Sequence, residues 1–123
     1  MKEQHGFSLL EVLISVSIFS VGLLAVASMQ MTAAKGNHFS GALTEASYLA
    51  VDQMETLLSL SYTDDDLTGG DHPDPPHTEG IYSVAWNVAE DETTDNTKTI
   101  DVTIAWTERG SPRSLSFQGI KAR

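Results

Sequence analysis

The chain is predicted to be α+β: a long N-terminal helix packed on a small antiparallel sheet of three to four strands. Three observations predict it. Val12 to Ala34 carries neither a charge nor a proline, which satisfies the requirement of about 20 apolar residues for a membrane-spanning helix. Between Ala42 and Leu60 the apolar residues recur at three- and four-residue steps, the spacing of one helix face. Beyond Gly80 the period falls to two, the repeat of a half-buried strand.

The first helix is expected to outrun a bilayer. Phe7 to Ala34 spans about 42 Å at 1.5 Å per residue, against a hydrocarbon core of about 30 Å, so the helix should continue into a domain outside. Ser15, Ser17, Ser20, Ser28 and Gly22 are small enough to let helices approach closely in a membrane. Gly36 and Gly41 flank Asn37-His38-Phe39-Ser40, a predicted soft point for a kink, melting or re-capping. The helix then resumes as an amphipathic segment to about residue 62. Leu43, Ala46, Ala50, Met54 and Leu57 form its apolar stripe, interrupted by Glu45, Asp52, Gln53 and Glu55.

Residues 63–80 are rich in aspartate, glycine and proline and are expected to form an acidic loop rather than a helix or central strand. Two ion-binding readings attach to it. Asp64, Asp66 and Thr68 followed by Gly69 match the opening of a calcium loop, but its twelfth position is Pro75 instead of a bidentate glutamate. His72 and His77 with Asp71 or Asp74 offer transition-metal donors. Asp64, Asp66 and Asp71 are thus weak metal candidates, a solvated loop is the plainer reading, and no cofactor is expected. A β-meander should fill residues 81–120. Its first strand, Ile81 to Ala89, sets Tyr82, Val84, Trp86 and Val88 on one face, and the second sets Ile100, Val102, Ile104 and Trp106 on one face. An acidic loop from Glu90 to Thr97 joins these two. A turn at Arg109-Gly110-Ser111-Pro112 leads to a third strand, Ser114 to Ile120, with Leu115 and Phe117 on one side. Both tryptophans are expected in the core.

The net charge is −10, and no Lys or Arg occurs between Gly36 and Thr97, which argues against nucleic-acid binding. There is no cysteine, so the small domain has no disulfide to rely on. Nor is there a nucleophile elbow, a phosphate-binding glycine loop or a zinc-protease motif. The chain is therefore not expected to be an enzyme.

Glu11 is the anomaly at the mouth of the apolar run. A carboxylate inside a membrane costs on the order of 3 kcal/mol on insertion scales, and such groups usually have a partner or a task. A plain anchor with an acid near the interface is the simple account. A secretory signal is the competing one, but its cleavage site follows the apolar region.

The polar leader Met1 to His5, the Gly6-Phe7 junction and Glu11 five residues past Phe7 together resemble the leader of type IV prepilins and type II secretion pseudopilins. The resemblance implies a pilin-like fold, cleavage after Gly6 by a membrane prepilin peptidase and N-methylation of Phe7. It also implies that Glu11 pairs with the N-terminal amine of a neighbouring subunit. A buried carboxylate and a buried ammonium each carry a desolvation penalty of several kcal/mol that contact can offset. The segment Ala46 to Glu55 resembles the long helix of PilV-type minor pilins and of I-type pseudopilins alike, and the ending Val102 to Phe117 looks like that of PilV-type minor pilins, with I-type pseudopilins the next resemblance overall. Many major pilins close a loop with a disulfide, so its absence points to a minor pilin or a pseudopilin; family members commonly have a proline in the apolar helix, and none occurs here. The implied organisation is a leader at 1–6, a transmembrane and assembly helix at 7–34 and a periplasmic domain at 35–123. The implied location is the inner membrane with a cytoplasmic N-terminus, then the pilus. The implied partners are the peptidase, other minor pilins and the major pilin. A membrane-tethered periplasmic binding module, calcium-dependent in one version, is the alternative of a different class.

Overall fold

The computed structural model describes residues 6–91 and 94–123. Met1 to His5 of the leader, and Glu92 and Thr93 of the acidic hairpin loop, lie outside the described residues. Helix α1 runs Leu9–Ser59, and four strands follow: β1 Gly70–Glu79, β2 Tyr82–Glu90, β3 Thr97–Glu108 and β4 Ser111–Ala122. The expected α+β class is what the structure shows. The chain divides into two compact units, residues 1–38 and 39–123.

In the first unit every described residue is exposed, including Leu13, Ile18, Phe19 and Leu24. A helix apolar all round needs a non-aqueous neighbour, and α1 is long and apolar enough to cross a membrane. Gly36 and Gly41, which flank the expected soft point, both lie within helix α1, and the boundary between the two units falls between them. Glycine lowers helical preference by about 1 kcal/mol but keeps its N–H, so the hydrogen-bond ladder passes through.

In the second unit the latter part of α1 covers one face of the sheet. Its buried residues are Ala42, Ala46, Ala50 and Leu57, whereas Leu43 and Met54 of the expected stripe are only partly buried. Small alanines bring the helix close while the sheet supplies the bulk: Tyr82, Val84, Val88, Ile100, Val102, Ile104 and Trp106. Tyr82 Oη donates to Glu45 Oε2 at 3.0 Å and lies 3.3 Å from the Ala42 carbonyl oxygen. Burial, then the hydrogen bond to Glu45, then that carboxylate's charge, raise the Tyr82 pKa above its ordinary value.

α1 ends at Ser59, earlier than residue 62, where Leu60 N turns to Leu57 O at 3.3 Å. Lys121 Nζ donates to the Leu58 carbonyl, a cation placed where the helix C-terminus is electronegative. A 3-10 turn, Asp65–Leu67, follows. Asp64 caps it by accepting from Asp66 N at 3.1 Å, and Leu67 is buried.

The loop expected over residues 63–80 is corrected here, since its second half is strand β1. β1 pairs antiparallel with β2 from Gly70 opposite Val88 to Glu79 opposite Tyr82, and the register breaks between His72 and His77. The prolines at 73, 75 and 76 fall inside that break. Proline is excluded from a central strand but tolerated at an edge or a bulge, and β1 is an edge: the order is β1-β2-β3-β4. β4 is also longer than expected, pairing with β3 from Ser111 opposite Glu108 to Ala122 opposite Thr97. Arg109 and Gly110 turn the hairpin with φ of 49° and 80°, the left-handed pair that a two-residue connection requires. Trp106 is core as expected. Trp86 is only half-buried, with its indole N–H donating to Asp66 O at 2.9 Å and its ring stacked on His72.

Candidate processing and assembly segment

Gly6, Phe7 and Ser8 precede α1 and have no helical structure. Phe7 is 84 % exposed, so the Gly6-Phe7 peptide is open to an enzyme. A Cβ added at Gly6 would meet nothing within 4 Å, and its φ is not in the left-handed region. The fold itself therefore makes no demand for glycine there.

Ser8 starts the helix. Its Oγ accepts from Glu11 N at 3.2 Å, and its carbonyl accepts from Val12 N at 3.2 Å. That is the geometry of an N-cap, and Ser8 with Glu11 has the S-x-x-E spacing of a capping box. The S-x-x-E spacing makes this cap legible in the sequence, although the sequence reading above does not draw it. Glu11 thereby stands in the first turn, where the helix dipole favours negative charge. Its carboxylate has no hydrogen bond or ion pair among the described residues.

Beyond Glu11 the hydroxyls of Ser17, Ser20 and Ser28 are satisfied within the helix. Ser17 Oγ donates to Leu13 O at 2.8 Å, Ser20 Oγ to Val16 O at 2.7 Å and Ser28 Oγ to Ala25 O at 2.8 Å. These bonds let serines sit in an apolar setting without an unmet donor. Around Gly22 there is open space, available to a neighbouring helix.

The weak metal candidates do not converge. Asp64 is used as a cap, the Asp66 carbonyl holds Trp86, and Asp71 Oδ1 accepts from Asn87 Nδ2 at 2.8 Å. His72 Nε2 lies 2.8 Å from the Thr68 carbonyl, and His77 is paired in β1 opposite Val84. Among the described residues no three of the histidine, aspartate or glutamate side chains gather into a cation site. Sequence reasoning also passed over Lys98. It is 6 % exposed, donates to Leu67 O at 2.7 Å, pairs with Glu90 at 3.3 Å and lies 4.7 Å from the Tyr62 ring centroid. A lysine opening a strand reads as surface, and only the fold brings residues 62–67 over it.

In the comparisons with known proteins, no curated protein and no solved structure matched the chain. Residues 1–27 match a family model described as the prokaryotic N-terminal methylation motif. That match supports a type IV pilin-like protein processed by prepilin peptidase, and with the exposed apolar helix it points to membrane anchoring.

Proposed function

We propose that the chain is a minor type IV pilin of the PilV type. The observation that carries the reading is a glutamate without a partner among the described residues, one turn into an exposed apolar helix and five residues past an open Gly-Phe junction. In this reading prepilin peptidase cuts after Gly6 on the cytoplasmic side and Phe7 is N-methylated. The helix of residues 7–34 holds the precursor in the inner membrane, with residues 35–123 in the periplasm. On assembly the Glu11 carboxylate meets the Phe7 amine of a neighbouring subunit, so that register is set by charge in an apolar bundle. The role is structural, with other minor pilins and the major pilin as partners. The resemblance of the ending at residues 102–117 to PilV-type proteins supports this placement, and the absence of cysteine favours a minor pilin or a pseudopilin over a major pilin.

The test separates processing from assembly. Gly6→Val should leave the unprocessed precursor on immunoblots. Glu11→Ala should be cleaved normally but fall at least tenfold in sheared pili. Normal maturation of the first variant or wild-type pilus levels of the second would overturn the assignment, and wild-type chain found only with the secretion machinery would give it to the pseudopilins.

A further inference from the structure

The register break in β1 makes a hollow in the sheet. Between His72, opposite Trp86, and His77, opposite Val84, β1 has residues 73–76 where β2 has Ala85 alone. The surplus chain has to leave the plane of the ladder, as bulged strands do. It carries Pro73 and Pro76 to the rim of a cavity of about 370 Å³, within the range of about 300–1,000 Å³ found for small-molecule sites. Ala85 also lines the cavity, and its one-carbon side chain leaves room that a longer one would fill.

The polar lining comes from the face of the sheet turned away from α1, where Asp101 and Thr103 alternate with the buried Ile100, Val102 and Ile104. Asp71 is opposite Asn87 and Asn87 is opposite Asp101, one row across three strands. Thr103, opposite Ala85, stands in the next row. These side chains are short and are held across the strands. Asn87 Nδ2 donates to Asp71 Oδ1 at 2.8 Å, Gln118 Nε2 donates to Asp101 Oδ2 at 3.1 Å, and the Thr103 and Ser116 hydroxyl oxygens are 2.9 Å apart. Short side chains fixed in advance lose little rotamer freedom when a ligand arrives. After these bonds each carboxylate keeps one oxygen, and Asn87 keeps its carbonyl oxygen and a second N–H, with no further partner among the described residues.

The groups left over select the ligand. Two carboxylates and neither lysine nor arginine line the cavity, in a chain of net charge −10, so an anion is repelled. His72, at the margin, has Nε2 committed to the Thr68 carbonyl at 2.8 Å. The row therefore presents acceptors at both ends with an amide donor between them, over a backbone span of about 10 Å, two strand spacings. A lone ammonium would use the carboxylates and leave the amide and the proline wall unmatched. A pyranose ring uses all of them. Hydroxyls at opposite ends donate to Asp71 and Asp101, an oxygen between them accepts from Asn87, and the C–H face of the ring lies on the prolines.

We propose that this hollow binds a neutral sugar residue, held by Asp71, Asn87 and Asp101, with Pro73 and Pro76 as its wall and Ala85 as its floor. The site lies wholly within the sheet, so neither cleavage at the leader nor assembly of the apolar helix bears on it.

The probes are methyl α-mannoside, methyl β-galactoside and methyl β-glucoside, with agmatine as a cationic comparison. Each is titrated into the full chain in lipid nanodiscs, and binding is read by saturation-transfer NMR. At least one glycoside is expected to give a saturable signal, at higher affinity than agmatine. Asp101→Ala, which removes an acceptor, and Ala85→Leu, which fills the floor and removes no polar group, should each weaken it about tenfold, the scale of one hydrogen bond to a charged group. Circular dichroism checks that each variant is folded. No saturable signal from any of the three glycosides, or an unchanged affinity in either folded variant, would overturn the site. Agmatine binding more tightly than every glycoside would overturn its ligand class.

Discussion

Tyr82 joins helix to sheet through a hydroxyl that is buried against Ala42 and Glu45. Because its folded pKa is raised, its contribution is complete below the ordinary tyrosine value near 10 and is lost as pH climbs above it, when the unfolded chain ionises first. Tyr82→Phe should cost about 1 kcal/mol at neutral pH and flatten the fall in stability above pH 10, as measured by urea unfolding across pH. A fall of the same steepness in the variant would assign it to other groups. Its neighbour Trp106 makes the opposite bargain. The indole N–H is buried with no hydrogen-bond partner among the described residues, a penalty of about 1–3 kcal/mol set against burial of the ring and its edge contact with Tyr82 at 5.9 Å. The side-chain partners of Ser8 and Lys98 illustrate what one residue hides: the first bonds three residues away and was legible, the second bonds across |i−j| of 31 and was not.

Among the elements, those that announce themselves do so by period. α1, β2 and β3 each keep one repeat long enough to be read, and the buried face of β3 is the alternating set Ile100, Val102, Ile104 and Trp106. β1 was hidden because its prolines argue against a strand unless its place at an edge is known, and edge position is a property of the assembled sheet. Trp86 was misplaced for a related reason, since the segment that half-covers it, Asp66 to His72, reads as solvated loop. Lys98 fastens that segment through Leu67 O. Lys98→Ala should cost about 1.5–3 kcal/mol, the range for a hydrogen bond to a charged group. It should also speed amide exchange over residues 62–72 more than in the helix. Uniform acceleration would mean that the lysine supports the whole domain and not this segment.

At the scale of the molecule, every buried core residue among the described ones lies between Ala42 and Trp106, within the second unit. Deleting residues 1–34 should therefore leave a soluble domain with a cooperative thermal transition by circular dichroism; a molten product would show that the domain needs the removed helix. The apolar unit, in turn, was legible in the sequence from its lack of charge, and Glu11 from being the exception. What such a molecule is joined to was not legible, because it depends on surfaces that only the folded sheet brings together. The three prolines of β1 have one last effect: they blunt that rim of the sheet, since a residue without an N–H cannot donate to an incoming strand, and the stacking that yields fibrillar precipitate finds no regular start there.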